Sequence, residues 1–185
     1  MTGAAPQRLF LAVALDDDTR TGLVSHLERN GGALIPGRHV VPANWHLTLR
    51  FLGKCAPEQR DRLVHYVDEQ LERGPFRVRF GGVGGFPRIA RATVAWLAVE
   101  AGAQRLEQIA AVCEEAAQVA GYFPEERPFH PHLTLSRIRP PEDLGPAVDG
   151  FEPFAGALHV DAVVLYESVL RRGPAEYRVV ERFAL

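Results

Sequence analysis

The tetrapeptide His-Leu-Thr-Leu occurs twice in this chain, at His46–Leu49 and at His132–Leu135. Each copy lies in an apolar stretch typical of a β-strand, whose side chains alternate between two faces. The leucines of each copy therefore point to one face, and the histidine and threonine point to the other. We interpret the repeat as two halves of one catalytic site, each supplying one histidine and one threonine.

Two histidines that face one substrate can act together as general acid and general base. The ordinary pKa of histidine, about 6.5, allows one ring to be neutral while the other is protonated. The threonine of each copy could donate its hydroxyl to an oxygen that carries developing charge. This set suits in-line displacement at phosphorus without a metal ion or a nucleophilic side chain. Because the two copies are nearly equivalent, the sequence itself does not assign the acid and the base.

Two arginines follow the motifs. Arg50 has the strand parity of His46 and Thr48, so it could contact the substrate or lie at a solvated rim. Arg137 follows the second motif, but strict alternation places it on the leucine face. Arg137 therefore reaches the site only if the strand bulges or ends at that point.

His130 forms a His-x-His pair with His132, which raises the alternative of a zinc hydrolase. No cysteine or carboxylate joins this pair at ligand spacing, so we expect no metal site and no other cofactor. Phe129 and Tyr166 could stack on a nucleobase, or they could pack at the core or the rim. The other histidines are interpreted as structural: His26, His39, His65 and His159.

The motifs must be positioned by a mixture of strands and helices. Strands are predicted at Arg8–Leu15, Trp45–Leu52, Phe76–Val83, Thr93–Val99, His132–Ile138, Leu158–Glu167 and Tyr177–Phe183. Helices are predicted from Asp16 to about Arg29, from Pro57 to Gly74 and over Ala103–Ala120, with a turn at Gly81–Gly85 and a loop at Pro140–Pro146. Without strict βαβ alternation, this order predicts an α+β fold with mainly antiparallel strands.

Composition limits the classes of function. The 185 residues predict one domain, 1–185, with two lobes, and the net charge of −2 predicts that any nucleic-acid contact is small and local. Cys55 and Cys113 match no disulfide or metal spacing. Met1–Arg8 has no long apolar run, and no stretch has the length of a membrane span. We therefore expect a cytoplasmic monomer that does not bind membranes.

Several segments together resemble a known family. They are Asn44 to Gly53, Arg127–Phe129, Pro131–Leu135 and Arg137, with Arg8–Phe10, Gly84–Pro87, Ser168–Leu170 and Tyr177–Leu185. In this order they are similar to the two-histidine phosphoesterase superfamily, and within it to the RNA 2′,3′-cyclic phosphodiesterases, once named 2′-5′ RNA ligases. The resemblance covers essentially the whole chain.

The resemblance implies a bilobal α+β fold with two mostly antiparallel sheets, outer helices, approximate internal two-fold symmetry and an active-site cleft between the lobes. It implies that His46 donates a proton to the leaving 3′ oxygen and that His132 activates water. It also implies that Thr48, Thr134 and Arg137 contact phosphate oxygens, and that the product carries a 2′-phosphate. The substrates would be RNA 3′ ends or nucleotides with a 2′,3′-cyclic phosphate.

Two alternatives stay open at this point. One is ligation, the reverse reaction with a 5′-hydroxyl in place of water. The other is a module that binds RNA ends or nucleotides without catalysis, although binding alone does not require two histidines able to transfer protons.

Overall fold

The computed structural model describes residues 5–170 and 173–185, so the first four residues of Met1–Arg8 lie outside the described part. The strands are β1 (Gln7–Ala14), β2 (Arg38–His39), β3 (His46–Cys55), β4 (Phe76–Phe86), β5 (Ala92–Ala101), β6 (His132–Glu142), β7 (Ala157–Val160), β8 (Ala162–Val169) and β9 (Glu176–Ala184). The helices are α1 (Asp17–Arg29), α2 (Pro57–Gln70), α3 (Ala103–Val119) and the short α4 (Gly145–Val148).

The three long helices begin and end close to their predicted limits, for local reasons. The carboxylate of Asp16 accepts a hydrogen bond from the backbone N–H of Thr19 at 2.6 Å, which caps α1. Pro57 occupies the first turn of α2, where no backbone donor is needed. The predicted apolar face of α3 is buried throughout: Leu106, Ile109, Ala110, Cys113, Ala117 and Ala120. In this way α3 covers the leucine face of the central strands, with α2 packed beside it.

All strand pairings among the described residues are antiparallel, which confirms the predicted α+β class. The strand order is β7-β4-β5-β6-β3-β1-β8-β9, with β2 added beside β6. The expectation of two sheets needs correction, because the two groups of four strands are joined. They meet where β3 pairs with β6 at Leu47 and Leu133.

The leucines of both motifs form the centre of the core. Leu47 and Leu133 are 1% and 0% exposed, and Leu49 and Leu135 are 6% and 4% exposed. The predicted alternation is therefore correct within each tetrapeptide, and it leaves the histidines and threonines on the open face. Because the strands pair at Leu47 and Leu133, the two open faces adjoin.

Three predicted boundaries were wrong. Gly81–Gly85 is not a turn but part of β4, where a Cβ atom on Gly84 would lie 2.4 Å from the Trp96 ring. Pro140 belongs to β6 rather than to a loop. The stretch Leu158–Glu167 divides at Asp161 into β7, which pairs with β4, and β8, which pairs with β1. The alternation of apolar residues is the same whichever strand is the neighbour. The sequence therefore did not show that the stretch changes from β4 to β1 as its neighbour.

At one edge of the sheet, the first strand of the group β4 to β7 pairs with the last. Strand β4 begins at Phe76, which lies opposite Val160 at the end of β7. In the described part of the chain, no helix is both long enough and apolar enough to cross a membrane.

Candidate active site

One cleft of about 1030 Å³ lies over the junction of β3 and β6. Both motif histidines and both motif threonines line it. The other predicted site residues along its wall are Arg50, Phe129 and Arg137. The structure thus brings together the histidines and threonines of both motifs with Arg50, Phe129 and Arg137, although the two motifs are distant in the chain.

Each histidine ring is oriented by a carbonyl of its own chain segment. His46 Nδ1 lies 2.7 Å from the carbonyl oxygen of Asn44, and His132 Nδ1 lies 2.6 Å from that of His130. A carbonyl oxygen can only accept, so each Nδ1 carries the proton and donates it. In the neutral ring, Nε2 is then left as the base, and in the protonated ring it carries the transferable proton.

Burial lowers the pKa of both histidines. For His46, desolvation lowers the pKa to about 4; the nearby positive charges of Arg137 and His132 lower it as well, and the Asn44 hydrogen bond raises it. For His132, desolvation also lowers the pKa, together with His130 and Arg137, against the hydrogen bond to His130. Without a bound anion, His46 is therefore neutral at pH 7, and the charge of Arg137 acts on both rings.

Aromatic rings surround each histidine and explain this desolvation. Phe10 and Tyr177 lie against His46, with ring centroids 5.0 and 5.4 Å away. Phe86 lies against His132 at 5.1 Å. Tyr177 also lines the cleft, and sequence reasoning had not assigned it to the site. Tyr166, the other candidate for base stacking, packs on Phe10 instead.

The two threonines stand beside the histidines on the open face. Thr48 and Thr134 are partly exposed and line the cleft. Within the described residues, neither hydroxyl has a hydrogen-bond partner in the protein. Both hydroxyls are therefore available to donate to oxygens of a ligand in the cleft.

A β-bulge brings Arg137 to the cleft. Thr134 lies opposite Trp96 on β5, but Ser136 lies opposite the next residue, Ala95, so Leu135 is an extra residue in β6. Leu135 and Ser136 are both buried, and Arg137 then points to the open side. No ion-pair partner for its guanidinium occurs among residues 5–170 and 173–185. The strand therefore bulges at this point, which is one of the alternatives that the sequence left open.

Strand β2, which sequence reasoning missed, supports this bulge. The hydroxyl of Ser136 donates to the carbonyl oxygen of Pro36 at 2.6 Å, and the N–H of Val40 donates to that of Leu135 at 2.8 Å. Between them, Gly37 has a φ of +92°, and a Cβ atom there would lie 2.5 Å from the carbonyl oxygen of Arg137. Glycine is therefore required for the close approach that holds the bulge.

The equivalent bulge in β3 has the opposite effect on Arg50. Leu49 is an extra residue between the pairs of Thr48 and Arg50 with β1, so Arg50 turns toward α3. Its Nε lies 2.5 Å from Glu114, and its two terminal nitrogens donate to the carbonyl oxygens of Phe51 and Phe123. Each terminal nitrogen keeps a second N–H, and Arg50 lines the cleft, so its contact with substrate stays a prediction.

Arg50 also contacts the chain segment that follows α3. Through Phe123 and through Glu125 at 3.6 Å, it holds the segment 121–131 that follows α3. That segment carries Phe129, which borders the cleft and packs partly on the core, as the sequence allowed. It also carries His130, whose carbonyl orients His132.

The described residues provide no complete set of ligands for the zinc site considered as an alternative. The rings of His130 and His132 are roughly parallel, with centroids 6.2 Å apart. Across the described part of the chain, no cluster of three or more histidine, cysteine or acidic side chains could hold a metal ion. Among the described residues, His130 and His132 thus lack a third side chain that would complete a zinc site.

Comparison with known proteins bears on this arrangement. The sequence model of the 2′-5′ RNA ligase superfamily matches residues 25–171. The chain belongs to the 2′-5′ RNA ligase superfamily. Superfamily members similar to it include an RNA 2′,3′-cyclic phosphodiesterase of Escherichia coli, 32% identical over 181 residues and covering 97% of both chains. The enzyme of that name from Aeropyrum pernix is 35% identical over 149 residues, 76% of this chain and 82% of its own.

The fold agrees with that of solved superfamily members. The crystal structure of Escherichia coli LigT complexed with 3′-AMP superposes with a TM-score of 0.78 and 30% identity, covering 97% of this chain and 98% of that one. The predicted family is thereby confirmed, and cyclic phosphodiesterase activity is the activity named for these relatives. The roles of individual residues stay predictions.

Proposed function

We propose that this protein hydrolyses the 2′,3′-cyclic phosphate at an RNA 3′ end to a 2′-phosphate, by metal-independent acid–base catalysis with two histidines. The observation that carries the proposal is the pairing of β3 with β6 at Leu47 and Leu133. It brings two histidines, each with Nδ1 held by a carbonyl, into one cleft beside the unpaired Arg137. Two relatives, 35% and 32% identical to this chain, are named RNA 2′,3′-cyclic phosphodiesterase, and one solved relative is complexed with 3′-AMP.

The reaction requires one proton to be taken and one to be given. His132 Nε2 removes a proton from water as its oxygen attacks phosphorus, and His46 Nε2 donates a proton to the departing 3′ oxygen. The bond from phosphorus to the 2′ oxygen is kept, so the product is a 2′-phosphate with a free 3′-hydroxyl. Placement of the two histidines in separate halves of the sheet suits attack and departure on opposite sides of phosphorus.

The phosphate itself prepares His46 to act as the acid. In the free protein, burial keeps the pKa of His46 at about 4, so its ring is neutral at pH 7. A bound anion stabilises the protonated ring and raises its pKa. The hydroxyls of Thr48 and Thr134 and the guanidinium of Arg137 donate to the remaining phosphate oxygens, where charge develops.

We further propose that the protein acts as a cytoplasmic monomer. The proposed catalytic groups all come from one chain. Cys55 and Cys113 are buried free thiols, which is typical of a reducing compartment.

The test is hydrolysis of a short RNA that ends in a 2′,3′-cyclic phosphate, with and without a chelator. We expect a 2′-phosphate as product at an unchanged rate in chelator. A 3′-phosphate product, or inactivation by the chelator with recovery on adding one divalent ion, would contradict the mechanism. Joining of added 5′-hydroxyl RNA would favour ligation, and binding without turnover would favour a binding module.

A further inference from the structure

We propose that Arg88 and Arg91 bind the RNA backbone on the 5′ side of the terminal nucleotide, so that the enzyme favours RNA ends over mononucleotides. This inference rests on the proposed function and adds a second part to the substrate site. The two arginines, with Pro87, Thr93 and Pro141, line a shallow depression of about 420 Å³, here called the arginine shelf.

The arginine shelf is continuous with the cleft. Pro87 and Thr93 line both, so the two depressions adjoin at these residues. Phe86, next to Pro87, lies against the His132 ring at 5.1 Å. Arg88 follows Phe86 by two residues, a chain distance of at most about 7 Å. A chain that leaves the cleft over Pro87 therefore meets the arginine shelf directly.

The two arginines are held on the same side of a short turn. The segment Ile89–Arg91 is a 3-10 turn, closed by a hydrogen bond of 3.1 Å from the N–H of Arg91 to the carbonyl of Arg88. Arg88 precedes the turn with an extended backbone, Arg91 ends it, and both side chains line the arginine shelf. The Thr93 hydroxyl donates to the carbonyl of Phe86 at 3.2 Å and ties the end of this turn to its start. The turn thus fixes where the two side chains leave the backbone.

The charges of the arginine shelf are unpaired. Neither Arg88 nor Arg91 has an ion pair or a side-chain hydrogen bond with any described residue. Elsewhere in the chain, carboxylates pair with many arginines: Arg20, Arg50, Arg60, Arg73, Arg79, Arg105, Arg178 and Arg182. Arg88 and Arg91 thus place two guanidinium groups without a carboxylate partner in one depression, in a chain whose net charge is −2. Guanidinium groups bind phosphate strongly, often through two parallel hydrogen bonds.

The covalent structure of the substrate determines which phosphate group can contact the arginine shelf. A terminal cyclic phosphate uses the 2′ and 3′ oxygens, so the rest of the RNA leaves through the 5′ oxygen of that nucleotide. The next phosphodiester is therefore one nucleoside away from the reacting phosphorus. Contacts with this phosphodiester do not read the base, so the preference should be independent of sequence.

The experiment compares two substrates, a 2′,3′-cyclic mononucleotide and a tetranucleotide that ends in the same cyclic phosphate. We expect Arg88→Gln/Arg91→Gln to lower kcat/KM for the tetranucleotide about tenfold and to change the mononucleotide value less than twofold. The slope of log kcat/KM against log salt concentration for the tetranucleotide should weaken by about 1.4, the value for two lost phosphate contacts on a single strand.

A matched control removes the same charge elsewhere. Arg29→Gln/Arg77→Gln replaces two exposed arginines that line neither the cleft nor the arginine shelf. We expect both substrates and the salt slope to be unchanged in this variant. If the two double variants had equal effects, net charge alone would explain the preference for RNA ends. If Arg88→Gln/Arg91→Gln lowered kcat/KM equally for both substrates, the two arginines would act at the reaction itself. Either result overturns the proposal.

A binding measurement separates this proposal from the proposed function. Fluorescence anisotropy with a labelled tetranucleotide that ends in a 2′-phosphate does not depend on turnover. If neither cyclic substrate is hydrolysed, the proposed function fails, and weaker binding by the Arg88→Gln/Arg91→Gln protein still supports the arginine shelf. Unchanged binding and unchanged kcat/KM in that variant would refute it.

Discussion

At the scale of single residues, both histidines are oriented in the same way. Each Nδ1 donates to the carbonyl oxygen two residues earlier in the chain, so the orientation of each ring depends on its own segment. The two rings therefore do not orient each other, and the loss of one should leave the other in place.

We expect His46→Ala and His132→Ala each to lower kcat by at least about 10²-fold while the protein stays folded, the usual contribution of a positioned acid or base. Hydrolysis of the cyclic phosphate and circular dichroism measure the two properties. His65→Ala is the control, because His65 is an exposed residue of α2 that contacts Glu69. Near-normal turnover in either motif variant would be incompatible with paired-histidine catalysis.

The dependence of rate on pH should form a bell, because one histidine must be neutral while the other is protonated. Burial lowers both pKa values in the free protein, so the alkaline limb of kcat/KM should lie at or below about pH 6.5, the ordinary histidine pKa. The bound phosphate raises the pKa of the acid, so the bell for kcat should extend further toward alkaline pH. A flat profile between about pH 5 and pH 9 in single-turnover measurements would exclude histidine acid–base chemistry.

At the scale of elements, the bulges in β3 and β6 determine which side chains each strand directs to the cleft. The alternation of apolar residues predicted the strands, the buried leucines and the exposed histidines and threonines, since these depend only on period two. It could not predict that Leu49 and Leu135 are extra residues, because a bulge depends on the neighbouring strand. The sequence therefore placed the histidines and threonines of both motifs on one open face, but it left open where Arg50 and Arg137 point.

The role of β2 can be tested at Gly37. We expect Gly37→Ala to lower kcat/KM about tenfold or more, because the new Cβ would force β2 from the bulge that aims Arg137, and small misplacements are costly in catalysis. Gly150→Ala is the matched control, since Gly150 also has a positive φ, +77°, but has no atom within 4 Å of a new Cβ. Equal activity of the two variants would show that β2 is not needed to orient Arg137.

At the scale of the whole molecule, the site affects stability. The pKa of His46 is about 4 in the folded protein and about 6.5 in an unfolded chain, so the unfolded state binds the additional proton between these values. The contribution of His46 to the free energy of unfolding is fully present above pH 6.5. It is lost as the pH falls toward 4, by up to about 3 kcal/mol.

We therefore expect His46→Gln to become more stable relative to the parent as the pH is lowered from 7 to 4.5. Urea unfolding at both pH values measures the difference in the free energy of unfolding. His65→Gln, which replaces an exposed ring, should follow the parent at both. A constant difference between His46→Gln and the parent across this range would mean that the folded protein does not resist protonation of His46.

The pairing of Phe76 with Val160 has a consequence for how this chain is assembled. The strands β4 to β7 form one uninterrupted segment, whereas β1, β3, β8 and β9 come from the two flanking segments. One half of the sheet is thus an insertion into the other. Its two ends lie opposite each other on neighbouring strands, about 5 Å apart at their Cα atoms. The chain therefore leaves the host half and returns to it at one place, across a single pair of neighbouring strands.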